Sequence, residues 1–269
     1  MKFNVRKLIP VLVVILACAS ILRLLRIVIS STSSSSLSQA CGTTSPLACT
    51  AFLAKASRNS TSTASSRASS LTAKEFQFVS KIVKHRAPCN LLIFGLESQY
   101  LILSSVNAGG TTIILEDTSS KVRAVSTEFN GTRIYLVKYH TLGKQAYNLL
   151  EHARNNPACG PSPEASQSFK CQLAITSLPQ EVYQTKWDII VVDGPNGNSP
   201  EDPGRMAAIY TAGVIARAGK STDVLVHDVN RTIEKWFSWE FLCEENLISS
   251  KGKFWNFRIQ GQSNSTKFC

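Results

Sequence analysis

The chain has 269 residues, of which 43% are hydrophobic, and its formal net charge at pH 7 is +11. This length is typical of one domain with extensions, and the composition is that of an ordinary globular protein. No run of lysine and arginine and no aromatic-basic module of the usual kind is present, which argues against nucleic-acid binding. A basic catalytic face would attract an anionic ligand, whereas a solvated basic surface without a specific partner explains the charge equally well.

The first predicted element is a membrane anchor over residues 8–29. This stretch is apolar apart from a proline, a serine and two arginines, and it has the roughly 20 residues that cross a bilayer. Basic residues within residues 1–7 favour a cytosolic tail by the positive-inside rule. We therefore expect a single-pass type II protein. A cleaved signal peptide is the alternative, but no clean small-x-small site follows a short apolar core.

Residues 30–70 are predicted to form a serine-rich stem that builds no core, and residues 71–269 to form a lumenal domain. Removing the five basic residues up to Arg26 leaves 24 basic against 18 acidic residues, so the lumenal part carries +6. N-glycosylation sequons support a lumenal location. They occur at Asn59, Asn130, Asn230 and Asn264.

Cysteine usage also indicates the secretory pathway, because seven of the eight cysteines lie beyond the anchor. The odd number leaves at least one of them unpaired or intermolecular. Cys159 and Cys171 flank a loop rich in proline and serine, and we expect them to form a disulfide. The further expected pairs are Cys41–Cys49 and Cys243–Cys269.

From Cys89 onward the hydrophobic periodicity alternates between strand and helix, and an amphipathic helix over residues 72–86 precedes the sheet. Thr72 and Glu75 form a capping box at the start of the first helix. This alternation predicts an α/β protein with a doubly wound, mostly parallel sheet. The strands are expected at residues 90–96, 111–117, 133–139, in the runs before Asp193 and Asp228, and at 253–259. The helices are expected at residues 72–86, 98–110, 121–129, 142–155, 203–218 and 233–247.

Small and acidic residues follow the first two predicted strands. Gly95 ends the first strand, and Glu116 with Asp117 ends the second. At the carboxyl ends of parallel strands, a small residue lets a ligand approach the backbone and a carboxylate accepts hydrogen bonds from ribose hydroxyls. Because GLESQY stands where a GxGxxG motif would, an adenosyl group without phosphates suits the site better than a dinucleotide. The alternative is that these residues merely end strands.

Two later strands end in WDIIVVDGP and TDVLVHDVNR, a βαβ unit that gathers Asp193, His227, Asp228 and Asn230 at one crevice. Asp193 and Asp228 can hold a divalent cation such as Mg²⁺ or Mn²⁺, which would lower the pKa of a bound sugar hydroxyl. Alternatively, His227 or Asp228 acts directly as a general base. Competing interpretations are that the aspartates only cap helices or turns and that His227 is a structural histidine.

Arg205 and Arg231 are predicted near helix starts beside the same crevice. A planar guanidinium pairs well with a carboxylate, so either side chain can hold an acidic sugar. A surface ion pair is the alternative for each.

These segments resemble a known family. The blocks CNLLIFGL, NAGGTTIILED, WDIIVVDGP, PGRMAAIYTAG and TDVLVHDVNR, followed by FLC, look like the plant polysaccharide-biosynthesis domain family. That family includes glucuronoxylan 4-O-methyltransferases, arabinogalactan O-methyltransferases and the irregular-xylem proteins. The resemblance covers about residues 72–269, and the anchor and stem also resemble those of the family's Golgi type II members.

The resemblance implies a Rossmann-like, S-adenosylmethionine-dependent methyltransferase fold and methyl transfer to O4 of glucuronic acid in xylan or arabinogalactan. Other Golgi glycan-synthesis proteins are the further expected partners. HDVNR resembles the methyltransferase members, whereas VDGP is closer to the irregular-xylem type, so a non-catalytic accessory protein of xylan synthesis is the competing function. The expected residues are Asp228, His227 and Asp193 for catalysis; Gly95, Glu116, Asp117 and Asp193 for the cofactor; Arg205, Arg231 and Asn230 for the substrate; and Asp193 with Asp228 for a metal.

Overall fold

The computed structural model describes residues 70–125, 131–161, 170–261 and 267–269. Within these ranges no helix has both the length and the apolar character needed to cross a membrane. The predicted anchor, the stem up to residue 69 and the Cys41–Cys49 pair lie outside the described residues, as do the sequons at Asn59, Asn130 and Asn264.

A seven-stranded sheet forms the centre of the described domain. The strands are β1 (Asn90–Phe94), β2 (Thr111–Glu116), β3 (Thr132–Leu136), β4 (Ile189–Val192), β5 (Ser221–Val226), β6 (Leu247–Lys251) and β7 (Phe254–Gln260). Their order in the sheet is β3-β2-β1-β4-β5-β7-β6. Strands β1 to β5 pair in parallel, whereas β7 runs antiparallel to both β5 and β6. The strand order reverses between β1 and β4, and in open α/β sheets ligands bind at that reversal, beyond the carboxyl ends of the strands.

Helices cover both faces of the sheet, as the sequence predicts. Leu92 and Phe94 of β1 belong to one core cluster, whereas Leu91 and Ile93 belong to a second cluster on the opposite face. The helices are α1 (Ala73–Arg86), α2 (Ser98–Val106), α3 (Ser119–Val125), α4 (Ala146–Asn155), α5 (Gln180–Gln184), α6 (Met206–Arg217) and α7 (Thr232–Leu242). The first cluster includes residues of α4, α6 and α7, and the second includes residues of α1 and α2.

The predicted capping box is present at α1, where Thr72 and Glu75 bond to each other's backbone amides. The prediction of a helix over residues 233–247 is wrong at its end, because α7 stops at Leu242 and Cys243 has a φ of 72°. The chain then forms the edge strand β6, whose exposed polar residues lack the alternation that marks a strand in a sequence.

Two of the expected disulfides are confirmed. Cys159 pairs with Cys171 and Cys243 pairs with Cys269. In the described part of the chain, Cys89 is a buried free cysteine.

Candidate active site

Glu116 ends β2 and is only 2% exposed. Its two carboxylate oxygens accept hydrogen bonds from the Leu96 amide at 2.6 Å and the Thr118 amide at 2.9 Å. The ammonium of Lys121 lies 3.8 Å from the same carboxylate. These contacts fix the carboxylate at the carboxyl ends of β1 and β2, and each oxygen keeps a lone pair for a ligand hydroxyl.

Asp117, the neighbouring acid, is exposed. Partial desolvation, together with the hydrogen bond and the charge of Glu116, raises the pKa of its carboxyl. The two predicted cofactor-binding acids therefore differ, since one is held in place by backbone amides and the other faces solvent.

Gly95 follows β1 with a φ of +102°, and a Cβ there would lie 2.9 Å from backbone atoms of Asp193 and Gly194. This close approach of the ends of β1 and β4 requires glycine whatever ligand binds. Its predicted contact with a cofactor stays a prediction.

Two hydroxyl groups that follow β3 in the chain are buried without a hydrogen-bond partner in the described structure, those of Tyr139 and Thr141. Burial, and then the charges of Asp117 and Glu116, raise the pKa of the Tyr139 phenol. Buried hydroxyls are normally hydrogen-bonded, so these two are suited to a polar ligand. Sequence reasoning missed both, because an isolated tyrosine or threonine beyond a strand carries no distinguishing signal.

Asp193 follows β4 and is the centre of a buried polar cluster. Its Oδ2 accepts a hydrogen bond from the Tyr100 hydroxyl at 2.6 Å, and its Oδ1 lies 2.7 Å from His227 Nδ1 and 3.2 Å from Arg205 Nη2. Burial and the charge of Asp193 raise the pKa of Tyr100 well above its usual value. Such partners offset the cost of burying a carboxylate.

Arg205 is 2% exposed, so the interpretation of this residue as a surface ion pair is wrong. Its guanidinium donates to the carbonyls of Pro195 and His227 at 3.1 and 2.9 Å and to Asp228 Oδ2 at 3.0 Å. These bonds join the loops that follow β4 and β5. Its predicted role in substrate binding stays a prediction, and the geometry supports a positioning role.

Asp228 is the most accessible acid-base group of this cluster, with 17% of its side chain exposed against 7% for His227 and 4% for Asp193. Burial alone would raise its pKa, but the charges of Arg205, His227 and Lys253 outweigh burial and hold the pKa below its ordinary value. Its φ of 58° lies in the left-handed region, which is uncommon for residues other than glycine but which aspartate and asparagine adopt more readily than most.

His227 lies between two carboxylates. Nδ1 faces Asp193, while Nε2 has no hydrogen-bond partner in the described structure and lies 3.6 Å from Glu75 Oε1. Glu75 also accepts a hydrogen bond from the Lys253 amide at 2.8 Å. The sequence identifies Glu75 as a helix cap, and nothing local indicates that it reaches the end of β5.

The candidate metal ligands do come together, because atoms of Asp193, His227 and Asp228 all lie within 4.8 Å of one another. However, Nη2 of Arg205 is 3.2 Å from Asp193 Oδ1 and 3.0 Å from Asp228 Oδ2. A divalent cation that bridged these two oxygens would have to displace the guanidinium. The arrangement therefore suits direct proton transfer better than metal binding.

A basic cleft of about 560 Å³ lies beside the cluster. Arg231 lines it, lies 3.8 Å from Asp228 Oδ2 and donates to the carbonyls of Asn196 and Gly197 at 2.8 and 2.5 Å. Lys144, which the sequence did not single out, adds a second positive charge. Asn230, the remaining predicted substrate residue, is exposed. The other lining residues are Gly143, Gly197, Asn198, Ser199, Pro200, Gly204 and Ile233.

The chain is similar in sequence to known proteins of one family. Residues 74–257 match the family described as IRX15/IRX15L/GXM. The chain is 41% identical over 206 residues to Arabinogalactan O-methyltransferase 2 of Arabidopsis thaliana, covering 73% of this chain and 71% of that protein. It is 43% identical over 191 residues to Glucuronoxylan 4-O-methyltransferase 1 of the same plant, covering 70% of this chain and 67% of that protein. It is 36% identical over 202 residues to Protein IRREGULAR XYLEM 15, also of Arabidopsis thaliana, covering 72% of this chain and 63% of that protein.

Among solved structures, a methyltransferase-like protein from Silicibacter pomeroyi matches with a TM-score of 0.41 and 15% identity, covering 73% of this chain and 90% of that one. A likeness this weak bears on neither fold nor activity.

Proposed function

Since the chain belongs to the IRX15/IRX15L/GXM family, we propose that it is an S-adenosylmethionine-dependent O-methyltransferase that methylates O4 of glucuronic acid side chains in a plant cell-wall polysaccharide, either glucuronoxylan or arabinogalactan. The names of the similar Arabidopsis thaliana proteins support this reaction class. Within the chain, the proposal depends on one observation. An accessible carboxylate, Asp228, lies between a buried polar cluster and a basic cleft.

The residues at the ends of β1 and β2 fit the methyl donor. Glu116 would accept hydrogen bonds from ribose hydroxyls, and the unpartnered hydroxyl of Tyr139, which lies near the charges of Asp117 and Glu116, would bond to another polar atom of the nucleoside. When bound, S-adenosylmethionine supplies a methyl group on a positively charged sulfur. The remaining chemistry, orientation of a sugar hydroxyl and removal of its proton, falls to the protein.

The cluster at the ends of β4 and β5 supplies that chemistry. Arg231 and Lys144 would attract the uronate carboxylate into the cleft, and Asp228 would accept a hydrogen bond from the reacting hydroxyl. Its low pKa makes Asp228 a weak base, so it takes the proton only as the hydroxyl oxygen forms its new bond. Arg205 and Lys253 hold Asp228 in place for this step.

A reaction that used a divalent cation at Asp193 and Asp228 would be inhibited by chelators, whereas direct proton transfer would not. Because Arg205 lies between the two carboxylates, we favour proton transfer without a metal. Treatment of the purified chain with EDTA is expected to leave its methyl transfer unchanged. Inactivation by EDTA with recovery on addition of Mg²⁺ or Mn²⁺ would establish the metal version instead.

Methyl transfer by the full chain in detergent tests the proposed reaction. The chain is incubated with methyl-labelled S-adenosylmethionine and unmethylated glucuronoxylan or arabinogalactan, and 4-O-methylglucuronic acid is sought after hydrolysis. We expect label in at least one acceptor and none in the same acceptor after its uronates are reduced to neutral sugars. A chain that binds S-adenosylmethionine but labels neither acceptor would contradict the proposal.

A non-catalytic role in xylan synthesis is the second candidate. One observation favours it: the guanidinium of Arg205 already pairs with the carboxylates of Asp193 and Asp228, both of which would serve the reaction. The likeness to Protein IRREGULAR XYLEM 15 is consistent with it. This role would replace the first if the chain methylates neither acceptor yet restores wall xylan in a plant that lacks it.

The proposed location is the Golgi membrane, with a single type II anchor and a lumenal catalytic domain. It is supported by the apolar run at residues 8–29 and by the four sequons. Glycosidase treatment is expected to increase the mobility of the expressed protein on a gel. Sealed microsomes are expected to protect its lumenal domain from added protease, and digestion of that domain in sealed vesicles would contradict this location. Asn230 is the sequon least expected to carry a glycan, because it lies two residues after Asp228 and a glycan there would crowd the proposed crevice.

A further inference from the structure

The basic cleft cannot hold a whole polysaccharide. A volume of about 560 Å³ is in the range of sites that enclose a ligand of drug size, so a polymeric acceptor must leave the cleft across the neighbouring surface. Two helices begin at the cleft. Lys144, which lines the cleft, closely precedes α4, and Ile233, which also lines it, lies in the first turn of α7.

Exposed aromatic side chains lie on these two helices. Of the large hydrophobic side chains that are exposed in the described structure, three are aromatic: Tyr147 at 67%, Trp236 at 42% and Trp239 at 41%. Tyr147 lies in α4, three residues after Lys144, and the two tryptophans lie in α7, with Trp236 three residues after Ile233. Residues three apart on a helix lie on the same face, so the aromatic face of α7 continues from the cleft.

Contacts between the helices indicate one continuous surface. Arg154 of α4 bonds to Glu240 of α7 at 2.6 and 2.9 Å, which places the later turns of the two helices side by side. Trp239 stacks on Trp255 with ring centroids 5.7 Å apart. Tyr147 and Trp236 make no such ring contact within the described structure, and their exposure of 67% and 42% leaves part of each side chain accessible to a ligand.

We propose that this α4–α7 surface, formed by Tyr147, Trp236 and Trp239, binds the acceptor polysaccharide where its chain leaves the cleft. The proposal rests on the proposed function, which supplies a polymeric acceptor. Soluble proteins rarely expose apolar patches without a functional reason, and aromatic rings offer a flat apolar face with a polar edge or tip. The C–H groups on one face of a sugar ring pack against such a surface.

Charge favours a uronate-bearing glycan as the occupant. Lys235 Nζ lies 5.9 Å from the ring centroid of Trp239, and Lys144 and Arg231 line the adjoining cleft. The surface therefore combines apolar rings, which suit neutral backbone sugars, with cations, which suit acidic side chains. Continuity with the cleft distinguishes this occupant from a membrane or a second copy of the chain.

Binding measured without methyl transfer tests the surface separately from the reaction. The full chain in detergent is titrated with unmethylated glucuronoxylan and arabinogalactan by affinity electrophoresis, with no methyl donor present. The double variant Tyr147→Ala/Trp236→Ala removes both exposed rings. We expect it to bind the polymer that the wild type binds roughly tenfold more weakly, about 1.4 kcal/mol. Ile102→Ala, which truncates a side chain on α2 that is 47% exposed, is the matched control and should bind like the wild type.

Acceptor length provides a second readout. In the methyl-transfer assay, the KM of the double variant should rise more for long acceptors than for short oligosaccharides that carry one glucuronate, while affinity for S-adenosylmethionine stays unchanged. Equal polymer binding by variant and wild type would overturn the proposal, as would a variant that instead loses vesicle binding or self-association. If the wild type binds polymer through these rings but transfers no methyl group, the surface stands and the proposed reaction fails.

Discussion

Asp228 combines a left-handed backbone with a cluster of cationic neighbours. Its φ of 58° lies in a region that aspartate and asparagine adopt more readily than most residues, and three cations, on Arg205, Arg231 and Lys253, lie within 3.8 Å of its carboxylate. The cations hold the carboxylate ionised and oriented. Such a group is prepared to receive a hydroxyl without further rearrangement.

The proposed donor site predicts that Glu116 contributes to the affinity for S-adenosylmethionine. Glu116→Gln retains one oxygen for the backbone amides but removes the charge, so affinity for S-adenosylmethionine should fall by about 1.5–3 kcal/mol, the range for hydrogen bonds to charged groups. Calorimetry on the full chain measures this change. Asp117→Asn, in the exposed neighbouring acid, is the control and should have a smaller effect. The reverse order of effects would move the ribose contact to Asp117.

The buried carboxyl group of Glu234 predicts how the stability of the protein depends on pH. Its side chain is fully buried and neither oxygen has a hydrogen-bond partner in the described structure, although Arg231 Nη2 lies 3.4 Å away. Burial raises its pKa, which Arg205 and Arg231 only partly offset. A raised folded pKa contributes stability below the unfolded value that is lost as the pH rises through the folded value.

Glu234→Gln removes this titration. As the pH rises from 4.5, the ordinary pKa of a glutamate, towards neutrality, the Tm of the variant should therefore rise relative to that of the wild type. Thermal melts of both proteins across this range measure the difference. A difference that stays constant, or that changes in the opposite direction, would show that Glu234 does not carry a raised pKa.

Residue types and strand ends were enough to predict most of the cluster. Asp193, His227 and Asp228 follow β4 and β5, and parallel pairing necessarily brings those ends together. Tyr100 and Glu75 could not be predicted, since they reach the cluster from α2 and α1 through packing of whole helices. Periodicity shows that a helix packs but not which of its residues meets a given strand end.

At the scale of elements, helix α1 links stability to the site. Thr72 caps α1, and its partner Glu75 bonds to the Lys253 amide and faces His227. Thr72→Ala should lower the free energy of unfolding by about 0.5–2 kcal/mol, the usual loss for a helix cap. Urea denaturation measures this loss, and Lys74→Ala, in the same turn but exposed, should change stability by less. Equal losses would show that the cap contributes nothing specific.

The elements themselves were predicted where hydrophobic runs are long. Strands β1, β2, β4 and β5 each contain an apolar run of three or four residues and are buried on both faces, as in parallel sheets generally. Strand β6 was missed because its sequence, LISSK, is polar and it lies at the edge of the sheet. The short helix α5 was missed for a related reason, since five residues give too little periodicity.

At the scale of the molecule, the two halves of the proposed site lie on either side of the point where the strand order reverses. Glu116 marks the half at β1 and β2, and Asp228 marks the half at β4 and β5. Arg231 was predicted beside this crevice, but Lys144 and the loops that line the basic cleft were not, because the cleft is assembled by contacts between distant loops, such as the hydrogen bond from the Gly143 amide to the Asp202 carbonyl. Such loop contacts leave no periodic pattern in a sequence.

Turnover by Asp228→Asn tests the central claim, that this carboxylate serves methyl transfer to a wall glucuronate. Asparagine tolerates the left-handed backbone and preserves the shape of the side chain while removing its charge. With methyl-labelled S-adenosylmethionine and the acceptor that the wild type methylates, we expect kcat to fall at least a hundredfold, the lower end of what a proton-transfer group contributes, with donor affinity retained. Methylation by the variant at the wild-type rate would contradict the account.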